Sequence, residues 1–384
     1  MKLLVDGVFF QLAQSGIARV WASLIPLLVG RDGLEIAVLD RGGLPELPGV
    51  QKLAFPSYNA KSTAADSFMI DRIGGEVGAD VFMSTYYTTP ITLPSVLMVH
   101  DMIPEVLGFD LSARMWREKE IAIAHARRFL CISRSTAKDL ARFYPEIPAD
   151  RMSIAHPGVD ADVFRPRPAA EIEAFRRRYV LHRPYYVVVG AREQHLGYKN
   201  VRLLFEALRA GRDASVDVLC VGGEPAIQPA FLAGLPAGID VRQVYLSDDE
   251  LACAYGGAEA LVFPSRYEGF GLPVAEAMST GCPVVCSPGG SLAEVAGSAA
   301  EIVDPDDVWG MVRALAAVRT PEVRSRLIAA GLSRAEVFRW PPMADALHAA
   351  VTATAAERGG EVLERFSREW ARLREIQMAV DTSY

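Results

Sequence analysis

Short, β-branched apolar runs alternate with helical patterns along almost the whole chain, and the alternation breaks once and then starts again. Runs apolar on both faces suit parallel strands covered by helices on either side, so the pattern reads as α/β. In the first half the strand candidates are Lys2–Asp6, Glu35–Asp40, Gln51–Phe55, Val81–Thr85, Ser95–Asp101, Phe129–Ser133 and Met152–His156, with helical stretches at Ile17–Leu28, Trp116–His125 and Ser135–Tyr144. Ser135, ahead of Thr136-Ala137-Lys138, reads as the polar cap of the last of these. The break comes at His156-Pro157-Gly158-Val159-Asp160, and Phe164-Arg165-Pro166-Arg167-Pro168 is the expected interdomain linker. Strand candidates then resume at Tyr185–Val189, Val216–Val221, Val241–Tyr245, Ala260–Pro264, Pro283–Cys286 and Ala300–Val303. Helices are expected at Asn200–Ala210, Asp248–Tyr255, Pro273–Thr280, Val308–Val318 and Glu322–Ala330.

With 384 residues the chain exceeds what one hydrophobic core supports, so two doubly wound domains are expected, 1–163 and 164–344. The tail sets Val362, Leu363, Phe366, Trp370, Leu373 and Ile376 at steps of three and four. That spacing predicts a helix whose apolar stripe packs back onto the first domain, completing it over about 345–384.

Composition narrows the function. Lys and Arg number 40 against 47 Asp and Glu, a net charge of −7, which disfavours nucleic acid as a partner. An anionic ligand must then be held by a few placed cations and backbone donors. No secretory leader or membrane-length apolar run is read from the sequence, so a cytoplasmic protein is expected, with peripheral contact at the inner membrane face left open. The five cysteines sit in strand-like runs; Cys282 and Cys286 bracket Pro283-Val284-Val285 and read as buried thiols, not as a metal clip. No G-x-G-x-x-G, P-loop, H-E-x-x-H or G-x-S-x-G motif is present, which removes the usual signatures of dehydrogenases, P-loop kinases, zincins and serine hydrolases.

The most informative stretch runs from Phe263 to Gly281. A strand ends at Pro264, a glycine-rich turn follows, and a helix opens with Pro273 in its first turn and stops at Gly281. Gly269 and Gly271 let backbone approach a ligand closely, and the helix start offers unpaired N–H groups that suit a phosphate. Glu268 lies in the turn and Glu276 in the helix, so both carboxylates can face one crevice.

This stretch resembles the Glu-x7-Glu motif of retaining glycosyltransferases of the GT-B fold, in particular the family-four group. The resemblance implies two Rossmann-like domains with an interdomain cleft. It gives Glu268 the donor sugar's hydroxyls, the amides of Phe270-Gly271-Leu272 the donor groups, and Glu276 the ribose. Gly190-Ala191-Arg192 through Lys199-Asn200 resembles the family's diphosphate loop, with Arg192 and Lys199 as the matching cations and His195 an unusual insertion. Ser15-Gly16-Ile17 resembles its first glycine loop, where the Gly16 amide would face donor phosphate and acceptor. His100-Asp101-Met102-Ile103-Pro104 resembles its acceptor-side His-Asp-x-x-Pro motif, giving His100 a catalytic place. Cys131–Ser135 and His156–Asp160 match two further landmarks.

The function implied is transfer of a hexosyl group, with retention, from a nucleoside diphosphate sugar (GDP-, UDP- or dTDP-linked) to a hydroxyl on a glycan, lipid-linked or other acceptor. Bacterial polysaccharide or glycoconjugate synthesis is the setting the resemblance suggests. No cofactor or metal is expected, since Asp160-Ala161-Asp162 falls in the linker rather than beside the donor motif. Two other readings keep the fold: a nucleotide-sugar epimerase, and a non-catalytic nucleotide-sugar-binding subunit.

Overall fold

All thirteen β-branched runs become strands, each paired in parallel with a neighbour. The computed structural model describes residues 1–12, 16–192, 197–213, 215–357 and 361–381. The chain divides into two units, one of residues 1–156 together with the chain from Trp340 onward, the other Pro157–Arg339.

In the first unit β1 (Lys2–Asp6), β2 (Glu35–Asp40), β3 (Gln51–Ala54) and β4 (Val81–Ser84) lie in the order β3-β2-β1-β4. β5 (Val96–Val99), β6 (Arg128–Cys131) and β7 (Met152–Ile154) continue it, joined to β4 through a parallel bridge between Phe82 and Ser95. The order therefore reverses between β1 and β4, which is where open α/β sheets bind ligands. One face buries Leu4, Leu39, Ile70 and Phe82. The helix Trp340–Ala356 packs on the helix Gly16–Leu28 and on β4 to β7, burying Met343, Leu347 and Val351.

In the second unit β8 (Tyr185–Val189), β9 (Asp217–Val221), β10 (Val241–Val244), β11 (Ala260–Phe263), β12 (Val284–Cys286) and β13 (Glu301–Ile302) take the order β10-β9-β8-β11-β12-β13. The reversal falls between β8 and β11. Helices Arg202–Gly211 and Val308–Ala317 cover one face over Val188, Val218 and Val262.

Three expectations change. The helix Arg134–Phe143 is capped by Ser133, whose hydroxyl accepts from Thr136 N at 3.0 Å; Ser135 already lies inside the helix. The division between units falls at His156–Pro157, ahead of the proline-rich segment, because Val159 N donates to Phe338 O at 3.0 Å and Phe164 is buried beside Tyr255. The tail helix Glu361–Asp381 buries Trp370 and Arg374, while Phe366, Leu373 and Ile376 stay exposed, so the apolar stripe is only partly covered. Trp370, the stripe residue that is buried, donates its Nε1–H to Pro90 O, and the paired cation of Arg374 reaches Glu118 at 2.8 Å beside it.

All five cysteines are buried and free. Among the described residues no helix is long and apolar enough to cross a membrane.

Candidate functional site

The second unit's switch point carries the densest chemistry. β11 ends at Phe263, and the turn after it leads to the helix Leu272–Ser279. Gly271 caps that helix with φ +94°, a conformation a side chain rarely adopts, and a Cβ there would lie 2.7 Å from Leu292 Cδ2. Pro273 occupies the first turn, where its missing N–H costs nothing. The helix start, with its positive dipole end, thus follows the strand end directly, and Val274 N donates to Gly271 O at 2.9 Å.

Glu268 is buried in the turn, and one of its oxygens meets Lys199 Nζ at 2.6 Å. Burial works to lower the lysine's pKa, but the Glu268 carboxylate and the Tyr198 hydroxyl together outweigh it and the net shift is upward, so the ammonium stays charged. The rings of Tyr198 and Phe263 lie 5.3 and 5.2 Å from the same ammonium. The two loops are stitched together: Arg266 N donates to Tyr198 O at 2.8 Å, and Asn200 Nδ2 donates to Pro264 O and Pro305 O at 3.2 and 2.8 Å.

A second loop, after β12, holds Glu268 by its backbone. Ser291 N and Ser291 Oγ both donate to Glu268 O at 3.0 Å, and Ser287 Oγ donates to Ser265 O. A Cβ on Gly290 would collide with Glu268 O, and one on Gly289 with Arg266 O, so both positions need glycine. Sequence reading missed this clamp; the Gly289-Gly290-Ser291 run after a strand was its visible signal.

Glu276 is buried in the helix with Tyr255 Oη 3.5 Å from its carboxylate. Leu272 is half-buried at the helix start, and Phe270 turns its ring inward, edge-on to Phe338 at 5.4 Å. Arg192 also turns inward. Its guanidinium donates to Gly222 O at 2.9 Å and to Glu224 O and Ala226 O, and its own N–H donates to Glu224 Oε2 at 2.8 Å. The structure thus unites Lys199 with Glu268 and commits Arg192 to the loop after β9. His195 lies outside the described residues.

The remaining sequence-derived residues belong to the first unit. Gly16 is the exposed first residue of its helix. His100 follows β5; its Nε2 is buried with no hydrogen-bond partner among the described residues, and burial pulls its pKa down to about 4 against the opposing charge of Asp101. Asp101 Oδ1 accepts from Ile103 N at 3.0 Å, fixing the strand exit. Phe9 of the short helix Val8–Leu12 and Tyr58 and Tyr87 of strand-end loops lie against the ring of Tyr86, at centroid distances of 5.5, 5.9 and 4.3 Å.

Two parallel α/β units with this strand order, the second bearing an acid–lysine pair beside a glycine-capped helix, define the architecture of a GT-B glycosyltransferase. The chain belongs to the glycosyl transferases of group 1, family four: residues 183–320 match the model described as Glycosyl transferases group 1, and 15–163 that of Glycosyltransferase Family 4. It is 29% identical over 266 residues to the O-antigen chain mannosyltransferase B of Escherichia coli, covering 64% of this chain and 67% of that one. To D-inositol 3-phosphate glycosyltransferase 1 of Catenulispora acidiphila it is 30% identical over 305 residues, covering 75% and 71%. It spans between 57% and 63% of the length of four further relatives.

Among solved structures, sucrose-phosphate synthase from Thermosynechococcus elongatus superposes with a TM-score of 0.74 at 16% identity, covering 92% of this chain and 98% of that one. Anabaena HepE, solved with UDP-glucose, gives 0.72 at 14%, covering 92% and 100%. At such identities the likeness is one of fold.

Proposed function

We propose that this glycosyltransferase moves a hexosyl group from a nucleoside diphosphate sugar to an acceptor hydroxyl with retention and without a metal ion, in polysaccharide or glycoconjugate synthesis. The observation that carries the reading is the Lys199–Glu268 pair beside the amino end of the Leu272–Ser279 helix. The donor binds the second unit. Lys199 and the helix amides neutralise its diphosphate, Glu268 takes sugar hydroxyls on the oxygen that Lys199 leaves free, and Glu276 takes the ribose.

The anomeric carbon–oxygen bond breaks with its electron pair going to the leaving phosphate oxygen. Positive charge builds on the sugar ring as negative charge builds on the phosphate, and fixed donors aimed at that phosphate stabilise the transition state. The acceptor hydroxyl attacks the same face of the sugar. Its proton passes to the departing phosphate oxygen, giving a glycoside and a nucleoside diphosphate. A salt-bridged Glu268 clamped through its own carbonyl suits hydrogen bonding to hydroxyls better than nucleophilic attack. Two relatives named as mannosyltransferases make mannose the first sugar to try.

Arg192 enters the reading as a positioning residue that shapes the loop after β9. The test is thermal-shift binding of UDP, GDP, dTDP and ADP, with magnesium and with EDTA. A ligand at a hundred times its Kd stabilises by about 2.7 kcal/mol. One diphosphate is expected to win equally in both conditions, and NMR of the product should show the donor's anomeric configuration kept. Binding only with magnesium sinks the metal-free reading, and an inverted product sinks retention.

A further inference from the structure

At the amino ends of β5, β6 and β7, the opposite edge of the sheet from His100, a cavity of about 180 Å³ opens in the first unit. Ile91, Leu93, Pro94 and Phe366 form apolar walls, while Arg127 and Arg151 bring two positive charges to its lining. Neither guanidinium has a hydrogen bond or an ion pair among the described residues. Arg127 is half-buried. Burial lowers its pKa, and the charge of Arg151 pushes it the same way against the pull of Glu357.

Arg127 is half-buried and Arg151 exposed, so their guanidinium donors stay open to a ligand that brings acceptors. Buried arginines elsewhere in this chain are instead committed to acceptors within it. Arg41 holds Asp6 at 2.6 and 2.8 Å, Arg374 holds Glu118 at 2.8 Å, and Arg192 holds three carbonyls.

The acids around the cavity are already used. Asp71 accepts from the backbone N–H groups of Ile91, Thr92 and Leu93 and from the Thr92 hydroxyl, and Glu357 is paired with Arg128 at 2.7 Å. His125, its Nδ1 2.7 Å from Ser95 Oγ, is neutral near pH 7 because burial drops its pKa to about 4. The lining therefore offers positive charge with no acid committed to it.

We propose that Arg127 and Arg151 form a second anion site that takes a phosphate group, carried by a lipid headgroup or by a soluble phosphorylated molecule. The guanidinium fork matches phosphate geometry, and the apolar walls suit the organic part of such a ligand. The helix that gives Phe366 to the wall also exposes Leu373, Ile376 and Val380, which is why a vesicle belongs among the probes.

The test uses the full chain carrying Lys199→Ala, so that phosphate binding at the nucleotide site is silenced. Inorganic phosphate should raise Tm above sodium chloride of equal ionic strength, and Arg127→Gln with Arg151→Gln should abolish the rise. Arg151→Gln alone, at an exposed position, should halve it or more without touching the fold. Co-sedimentation with phosphatidylcholine vesicles containing phosphatidylglycerol, lost in the double variant, assigns the phosphate to lipid. A Tm response without sedimentation assigns it to a soluble ligand. The proposal is overturned if neither response occurs, or if either one occurs unchanged in the double variant. Nucleoside diphosphate binding by the double variant in an otherwise native chain, measured in parallel, reads the donor site separately.

Discussion

At the end of β1 in the first unit, Asp6 is wholly buried, gripped by Arg41 through two hydrogen bonds and by Thr88 at 2.6 Å, while Arg41 also meets Asp66 at 2.9 Å. Beside the corresponding strands of the second unit, Lys199 keeps 21% of its side chain exposed and pairs with a single oxygen of Glu268. Both places are switch points of the same strand order, so topology alone does not make a site. The first unit fills the end of its crevice with a buried ion network that ties Asp6, at the end of β1, to Arg41 after β2, and through them to Thr88 after β4 and Asp66 in the helix Thr63–Val77. The second leaves donors and acceptors spare and surrounds them with glycines.

The largest effect expected from this contrast is structural. Arg41→Ala leaves Asp6 and Asp66 buried without a counter-charge and should cost about 3–5 kcal/mol in urea denaturation. A loss under about 1 kcal/mol would mean the network is not closed in solution. Next comes the catalytic side. Lys199→Ala and Glu268→Gln should each lower kcat by roughly 10²–10³-fold, the scale of removing one preorganised donor. Arg192→Ala should lose turnover and Tm together, since it releases the carbonyls of Gly222, Glu224 and Ala226. If Arg192→Ala loses turnover alone, the guanidinium faces the diphosphate during the reaction and the inward pose is not the working one. Smaller still, Glu276→Gln should raise the donor KM about tenfold, roughly 1.4 kcal/mol, and leave kcat close to native.

Legibility in the sequence followed the same divide. Parallel strands are written as continuous apolar runs, and their positions could be read to within a few residues. The Glu268–Gly281 stretch was legible because turn glycines, a first-turn proline and two acids all lie close together in the chain. Features built by distant residues were not. Nothing local marks Asp6, Arg41 and Asp66 as one network, or sends the Arg192 guanidinium toward carbonyls thirty residues on. The helix Thr63–Val77 escaped because it buries Thr63, Asp66 and Ser67, which hide its apolar period. The tail misled in the opposite sense: its apolar period was plain, yet the buried face is fixed by Arg374 and the Trp370 indole.

The smallest expected effect concerns pH. His100 and His125 are both in the first unit, and burial lowers the pKa of each to about 4. Between pH 6.5 and 4 the unfolded chain binds protons at these sites and the folded unit does not, so stability falls as pH falls through that window. At pH 6 the loss is about 1 kcal/mol per histidine. Asp66 acts in the opposite direction. Burial raises its pKa to about 6, past the lowering pull of Arg41, so its contribution is present at acid pH and fades as pH rises through 6. The histidine effect is therefore isolated by comparing the native chain with His125→Gln. The stability gap between them should shift in the variant's favour as pH drops from 7.5 to 6. Hydrogen exchange should place that change in the amides of β5 and β6, which flank Ser95 and the end of the Arg114–His125 helix. A gap that stays constant with pH would mean water reaches His125 in the folded state, and the first unit would then be less tightly closed than its ion network implies.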